Sequence, residues 1–200
     1  MASLIIRLIY IYIVLKLIFI GNNNLDNVQG KIGIHKLKDI SLIGLISDTH
    51  IPEAGVNLWP EVFRVFDDVD IILHAGDMHN LSVIQELEAI APVLACRGNG
   101  DDGSGGRPIM PAHRKVQQNQ LIFVNDTSVG LTHSFIHDPK LGVSINNQMI
   151  DKFGKEVDIV VAGDTHVPVV KKISNSTQII NSGSALLPYN FNTQLGTIGF

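Results

Sequence analysis

Hydrophobic and polar positions change rhythm along the chain at about Ser41. From there on, short apolar, β-branched runs alternate with stretches of helical spacing, the pattern of βαβ units. Residues 42–46 read as a buried strand. Pro60 opens a helix to about Phe66, with Val62, Phe63 and Phe66 on one face. Residues 70–74 form a second strand. Residues 80–90 form a helix with Leu81, Ile84, Leu87 and Ile90 inward. Residues 93–97 are a third strand, and the Gly/Pro-rich stretch 101–111 is a loop. Residues 115–117, 121–125 and 128–132 read as antiparallel hairpin strands. A helix over 144–153 and a strand over 157–162 follow, then short strands at 167–172, 177–181 and 197–200. The last of these looks like a strand cut short: either the chain ends early or the final strand is an unfinished edge.

Before Ser41 the pattern is different. Of the first 20 residues 17 are apolar, broken only by Ser3, Arg7 and Lys16. As a helix, residues 4–20 would span about 25 Å, short of the usual membrane crossing and interrupted by Lys16. No small-residue cleavage site follows. Three readings stay open: a marginal membrane anchor, a peripheral or partner-binding helix, and a mis-called start that adds translated upstream sequence. The Ile/Leu/Tyr/Asn/Lys bias of residues 4–36 favours the last. Residues 22–38 then read as a polar linker. The chain thus divides into an extension, 1–40, and a domain, 41–200. A cytoplasmic location is expected, with membrane contact only through residues 4–20 if that segment is real.

Composition adds limits. With 45% hydrophobic and 17% charged residues and a mean hydropathy of +0.22, the chain is too apolar for disorder. The apolar excess is concentrated in the first 20 residues. The net charge of −4, with no run of five like charges, indicates no specific nucleic-acid-binding face. The one cysteine, Cys96, excludes an internal disulfide and a multi-cysteine zinc site, and reads as a small core residue.

Polar residues of one chemical kind follow five of the expected strands. They are Asp48-Thr49-His50, His74-Ala75-Gly76-Asp77, Arg97-Gly98-Asn99-Gly100-Asp101, Thr132-His133 and Gly163-Asp164-Thr165-His166. Ligands of open α/β sheets bind at the carboxyl ends of strands, so these clusters converge. Asp, Asn and His offer oxygen and imidazole donors to divalent ions, and more of them gather than one tetrahedral ion needs. That points to two metals.

Asp-x-His, Gly-Asp, Gly-Asn, His and Gly-x-x-His, in this order, resemble the calcineurin-like metallophosphoesterase superfamily. The short spacing and the Asp48-Thr49-His50 form resemble its small prokaryotic phosphodiesterase branch, a relative of the retromer scaffold subunit. The resemblance covers about residues 42–200. It implies an α/β fold of two packed mixed β-sheets flanked by helices. It also implies that Asp48, His50, Asp77 and His166 bind one divalent ion. Asp77 would bridge to a second ion held by Asn99 and His133, with Asp164 in the place of a further ligand. Mn²⁺ is expected, with Mg²⁺, Ni²⁺, Fe²⁺ and Zn²⁺ as alternatives. A hydroxide bridging the ions would attack a small phosphate ester in line, most simply a diester, with Asp77, Asn99 and His133 at the catalytic centre. A homo-oligomer fits this reading. The alternative function is a catalytically weak or inactive scaffold that binds protein partners on the same fold.

Two positions depart from the pattern. The family usually has His where Asp164 stands. Three carboxylates and a hydroxide neutralise two divalent ions, whereas the His version would be one unit positive. Weaker attraction for a phosphate dianion and a preference for harder ions follow. Many members also carry His where Gly100 stands, and that His is thought to protonate the leaving group. Its absence favours esters with good leaving groups. His79 and His137 are candidate substitutes, with His137 reading first as a surface loop residue. His74 reads as a supporting residue rather than a ligand. Asp101 either orients Asn99 and its loop or is a turn residue, and Arg107 either meets substrate phosphate or stays solvated. Residues 98–103 satisfy G-x-G-x-x-G, but no helix follows to meet a pyrophosphate, so no dinucleotide site is read there.

Overall fold

The computed structural model describes residues 32–187 and 196–200. The apolar head, residues 4–20, and most of the expected linker lie outside them. The strands are β1 (Ile32–Leu37), β2 (Ile43–Ile46), β3 (Ile71–His74), β4 (Val93–Cys96), β5 (Val116–Gln117), β6 (Asn119–Val124), β7 (Thr127–Thr132), β8 (Ile159–Ala162), β9 (Val169–Lys172) and β10 (Gln178–Asn181). The α-helices are α1 (Pro60–Val65), α2 (Ser82–Glu88) and α3 (Ile145–Phe153).

Apolar runs with no alternation belong to strands covered on both faces. That is how β2, β3 and β4 sit, with β5, in a sheet of order β2-β3-β4-β5 that is parallel throughout. The other sheet is mixed, in the order β1-β6-β7-β8-β10-β9. The two sheets pack on each other through Leu45, Leu73, Leu94, Ile122, Leu131 and Val161. Helices α1 and α2 cover the outer face of the small sheet with Val62, Ile84 and Leu87, joined by Phe66 at the end of α1. Helix α3 covers the large sheet with Met149 and Phe153. The layers are therefore helix, sheet, sheet, helix. Helix α3 starts where the Ser144 hydroxyl accepts the Asn147 N–H (3.3 Å) and stops at Gly154, which is left-handed at φ 76°. Among the described residues no helix is long and apolar enough to cross a membrane.

Three local expectations are corrected. Residues 115–117 do not join the hairpin; Val116–Gln117 runs parallel to β4 in the other sheet. Residues 197–200 form no strand, only a bridge in which Gly199 exchanges both backbone bonds with Leu45. The expected linker, 22–38, contains β1, paired parallel with β6 over six residues.

Strand β1 does more than lengthen an edge. The His35 Nε2–H donates to Gln120 Oε1 at 2.7 Å. The fully buried Gln120 amide in turn donates to the Ala95 and Lys115 carbonyls, at 2.8 and 2.9 Å, and so ties the two sheets together. A chain that starts at Ser41 loses the strand and leaves Gln120 Oε1 unpaired. Urea unfolding should show it less stable than a chain starting at Lys31 by roughly 2–4 kcal/mol. Its bare β6 edge should also promote aggregation. Equal stability would show that β1 contributes nothing to the domain.

Candidate metal centre

The five polar clusters do meet. Asp48 and His50 follow β2, Asp77 follows β3, Asn99 follows β4, His133 follows β7, and Asp164 and His166 follow β8. Three Asp-x-His turns form the floor. In each, both the Asp and the His are left-handed: φ 51° and 48° at Asp48 and His50, 54° and 67° at Asp77 and His79, 71° and 57° at Asp164 and His166. Asp and His are among the few non-glycine residues that tolerate this region. Backbone bonds lace the first turn to the second, from Asp48 N–H to the Gly76 carbonyl and from His50 N–H to the Asp77 carbonyl, both 3.0 Å. The Asp164 N–H bonds both oxygens of Asp48 at 3.2 Å and ties in the third turn.

Ligand-type atoms of Asp48, His50 and His166 lie within 4.8 Å of one another, as do those of Asp48, Asp77 and His133, and those of His50, Asp77 and His79. Asp77 Oδ1 is 3.5 Å from His133 Nε2, and Asp77 Oδ2 is 3.7 Å from His50 Nε2. One carboxylate thus faces two groups of ligands. Asp164 sits at the rim, with its Oδ1 3.7 Å from His133 Nε2 and its side chain 42% exposed.

Tautomers sharpen the picture. His133 donates its Nδ1–H to the Ala75 carbonyl at 2.7 Å, and His166 donates its Nδ1–H to the Leu187 carbonyl at 2.7 Å. In the neutral rings both Nε2 atoms then carry lone pairs. His133 Nε2 lies 3.0 Å from Asn99 Oδ1, itself an acceptor. His166 Nε2 lies 3.1 Å from His50 Nε2 and 3.6 Å from Asp48 Oδ1. At His133 and Asn99 one acceptor converges on another with no proton between them, which is what a cation requires. The residues present therefore fit divalent metal ions.

Electrostatics agree. Burial pushes the Asp48 carboxyl up to about 6, against the pull of His133. A cation beside it would favour the ionised form. Burial, and then the nearby His79, draw His50 down to about 4, so its ring is neutral and free to coordinate at neutral pH.

His74 has the opposite arrangement. It is fully buried, accepts the Gly76 N–H on Nδ1 at 3.2 Å, and so donates its Nε2–H to Thr49 Oγ1 at 3.1 Å. It supports the first turn from below. Burial above all, and then His133 and His50, pull it down to about 3. Its folded value lies below the unfolded 6.5. The stability it contributes is therefore complete above pH 6.5 and falls as pH drops from about 6.5 towards about 3. Over that window the metal-free protein should lose roughly 4 kcal/mol through this residue. Urea titrations at several pH values should show the acid limb flattened in His74→Gln. An unchanged limb would show that His74 is not the buried neutral group.

Sequence reasoning left several supporting residues unassigned. The fully buried Asp101 accepts three backbone N–H groups, from Gly98 (2.8 Å), Asp77 (3.1 Å) and His79 (2.7 Å). Its role is to hold the Asp77–His79 turn. Ser184 Oγ donates to the Asp48 carbonyl at 2.6 Å, and Asn181 Nδ2 to the Gly163 carbonyl at 2.6 Å. Such side chain-to-carbonyl bonds leave no signal in a sequence. Arg107 stays partly exposed, and its Nε–H donates to Glu53 Oε1 at 2.8 Å. His137 lies outside all three clusters, with its Nδ1 3.4 Å from the Phe135 carbonyl.

Residues 42–198 match the calcineurin-like phosphoesterase superfamily domain. A probable metallophosphoesterase of Methanothermobacter thermautotrophicus is 32% identical over 149 residues, 74% of this chain and 78% of that protein. A phosphodiesterase of Methanocaldococcus jannaschii is 27% identical over 165 residues, 78% of this chain and 90% of that protein. Among solved structures, Vps29 from Entamoeba histolytica, complexed with zinc, superposes with a TM-score of 0.55. The two share 18% identity over 78% of this chain and 79% of that one, which shows a common fold.

Proposed function

Because the chain belongs to the calcineurin-like phosphoesterase superfamily, we propose that its metal-dependent phosphoesterase chemistry is that of a dinuclear phosphodiesterase. The observation that carries this is the convergence of lone pairs at His133 Nε2 and Asn99 Oδ1, 3.0 Å apart, beside the Asp77 carboxylate. Asp48, His50, Asp77 and His166 would hold one ion. Asp77, Asn99 and His133 would hold a second, with Asp164 at the rim beside His133. When bound, the ions acidify water to a nucleophile at neutral pH and neutralise charge on phosphoryl oxygens; Mn²⁺ suits this mixed oxygen and imidazole set.

The protein's own groups set the geometry. Asp77 presents one oxygen to each cluster, and the Gly100 N–H fixes the first of them at 2.7 Å. The Ala75 and Leu187 carbonyls keep the Nδ1 protons of His133 and His166 away from the centre, so their Nε2 atoms stay free. Gly100 brings no side chain to the leaving-group side. Diesters with good leaving groups, such as aryl phosphodiesters, should therefore react best.

The test is hydrolysis of an aryl phosphodiester by metal-stripped protein before and after Mn²⁺ is added. Turnover that appears with Mn²⁺ and disappears with a chelator supports the proposal; an aryl monoester cleaved faster than the diester would sink the diesterase part. A second reading, a partner-binding module on the same fold, draws on the exposed Asp164 and on the shared fold with Vps29. It requires that Mn²⁺ bring no turnover.

A further inference from the structure

The middle Asp-x-His turn carries a histidine that the ligand set above does not use. His79 follows Asp77 as His50 follows Asp48 and His166 follows Asp164, with the same left-handed backbone at both positions of each turn. Its side chain is only 3% exposed. Its Nε2 is buried with no hydrogen-bond partner among the described residues. Buried polar atoms are nearly always paired, so an orphan one calls for an explanation.

The other ring nitrogen supplies part of it. Nδ1–H donates to Glu53 Oε2 at 2.8 Å, and Glu53 is held in turn by Arg107 at 2.8 Å. A carboxylate can only accept, so in the neutral ring Nε2 carries the lone pair. His133 and His166 are in the same tautomer, with Nδ1–H tied to an acceptor and the lone pair on Nε2. A carboxylate behind a ligating imidazole is the usual partner that fixes its orientation. The direction of the ring fits as well. It stands edge-on to His50, with centroids 4.4 Å apart and planes at 83°, and its ligand-type nitrogen lies within 4.8 Å of those of His50 and Asp77. A Cβ at position 100 would run into His79 Nε2, so the bare Gly100 is what admits the imidazole.

We propose that His79 Nε2 is a further metal ligand, shared with Asp77 and His50 and oriented by the Glu53–Arg107 pair. The proposal rests on the metal-dependent reading above. It makes the site richer in imidazole on the side of His50.

The test is titration of metal-stripped protein with Co²⁺, followed by calorimetry and by visible absorption. His79→Gly suits the left-handed backbone and leaves a hole of imidazole shape. It should weaken Co²⁺ binding about 100-fold, and Glu53→Gln about 10-fold. The ligand-field bands of the His79→Gly complex should shift, and free imidazole should restore both affinity and spectrum. Binding and bands that match the unaltered protein would overturn the proposal. So would a loss that imidazole fails to restore, since that marks a structural role. If the unaltered protein takes up no Co²⁺, the phosphoesterase reading itself falls. If it does take it up and His79→Gly matches it, only the assignment of His79 falls.

Discussion

Asp77→Asn should leave a folded protein with almost no phosphodiesterase activity. The side chain keeps its size, tolerates the left-handed backbone at φ 54°, and can still accept the Gly100 N–H through its amide oxygen. What it loses is the negative charge between two groups of ligands and the second oxygen that faces His50 Nε2 at 3.7 Å. An amide NH₂ pointed at an ion repels it. If the two ions together stabilise the transition state by about 4 kcal/mol, losing the shared ligand costs about 10³-fold in kcat/KM. Metal content should fall in parallel, while the melting temperature of the stripped protein stays close to that of the unaltered chain. Activity within a few-fold of the unaltered protein, at equal metal content, would show that the carboxylate does not join the two halves of the site.

A different outcome is expected for Asp101→Ala. Here stability, rather than activity alone, should suffer. One buried carboxylate accepts three N–H groups from two separate loops. Removing it strands all three donors away from water. Each buried, unpaired donor costs roughly 1–3 kcal/mol, so a loss of at least about 3 kcal/mol should appear in urea or thermal unfolding. Burial raises the Asp101 proton affinity, and the N–H groups of Gly98 and His79 oppose that rise. Asp101→Asn keeps one acceptor oxygen and should fall between the two. Both variants should also bind metal more weakly, because the turn that carries Asp77 and His79 loses its clamp. A change under about 0.5 kcal/mol in the Ala variant, the range of ordinary surface substitutions, would contradict this account.

The contrast between these two aspartates shows what the sequence could reveal. Asp77 belongs to a Gly-Asp at a strand end, and ordered sets of such pairs report a shared site. Asp101 carries the same residue type two positions beyond Asn99, and nothing in its neighbours tells a clamp from a turn. The buried strands 43–46, 71–74 and 93–96 were legible because covering both faces demands unbroken apolar runs. Strand β1 was not, because its exposed residues, Ile34 and Lys36 among them, blur the pattern, and pairing with β6 decides its conformation. Val116–Gln117 is too short for any pattern; its partner across the sheet places it. His79 could be read only as a spare histidine, since its meaning lies in a turn geometry and in a Glu53 that is 26 positions away.

The three left-handed turns set a tension between durability and chemistry. Of the eight non-glycine residues with positive φ among the described residues, six are the Asp and His of these turns. Each carries a backbone cost on the order of 1 kcal/mol that a glycine would not. Glycine at His50 or His166 would ease the metal-free chain while removing a candidate ligand. A search for heat-resistant variants, blind to activity, should therefore accumulate changes at these positions first. Bound metal would reverse that preference, because a ligand that binds only the folded state adds stability in proportion to its own affinity. For a chain built this way, the metal supply of the host decides whether selection for stability preserves the site or erodes it.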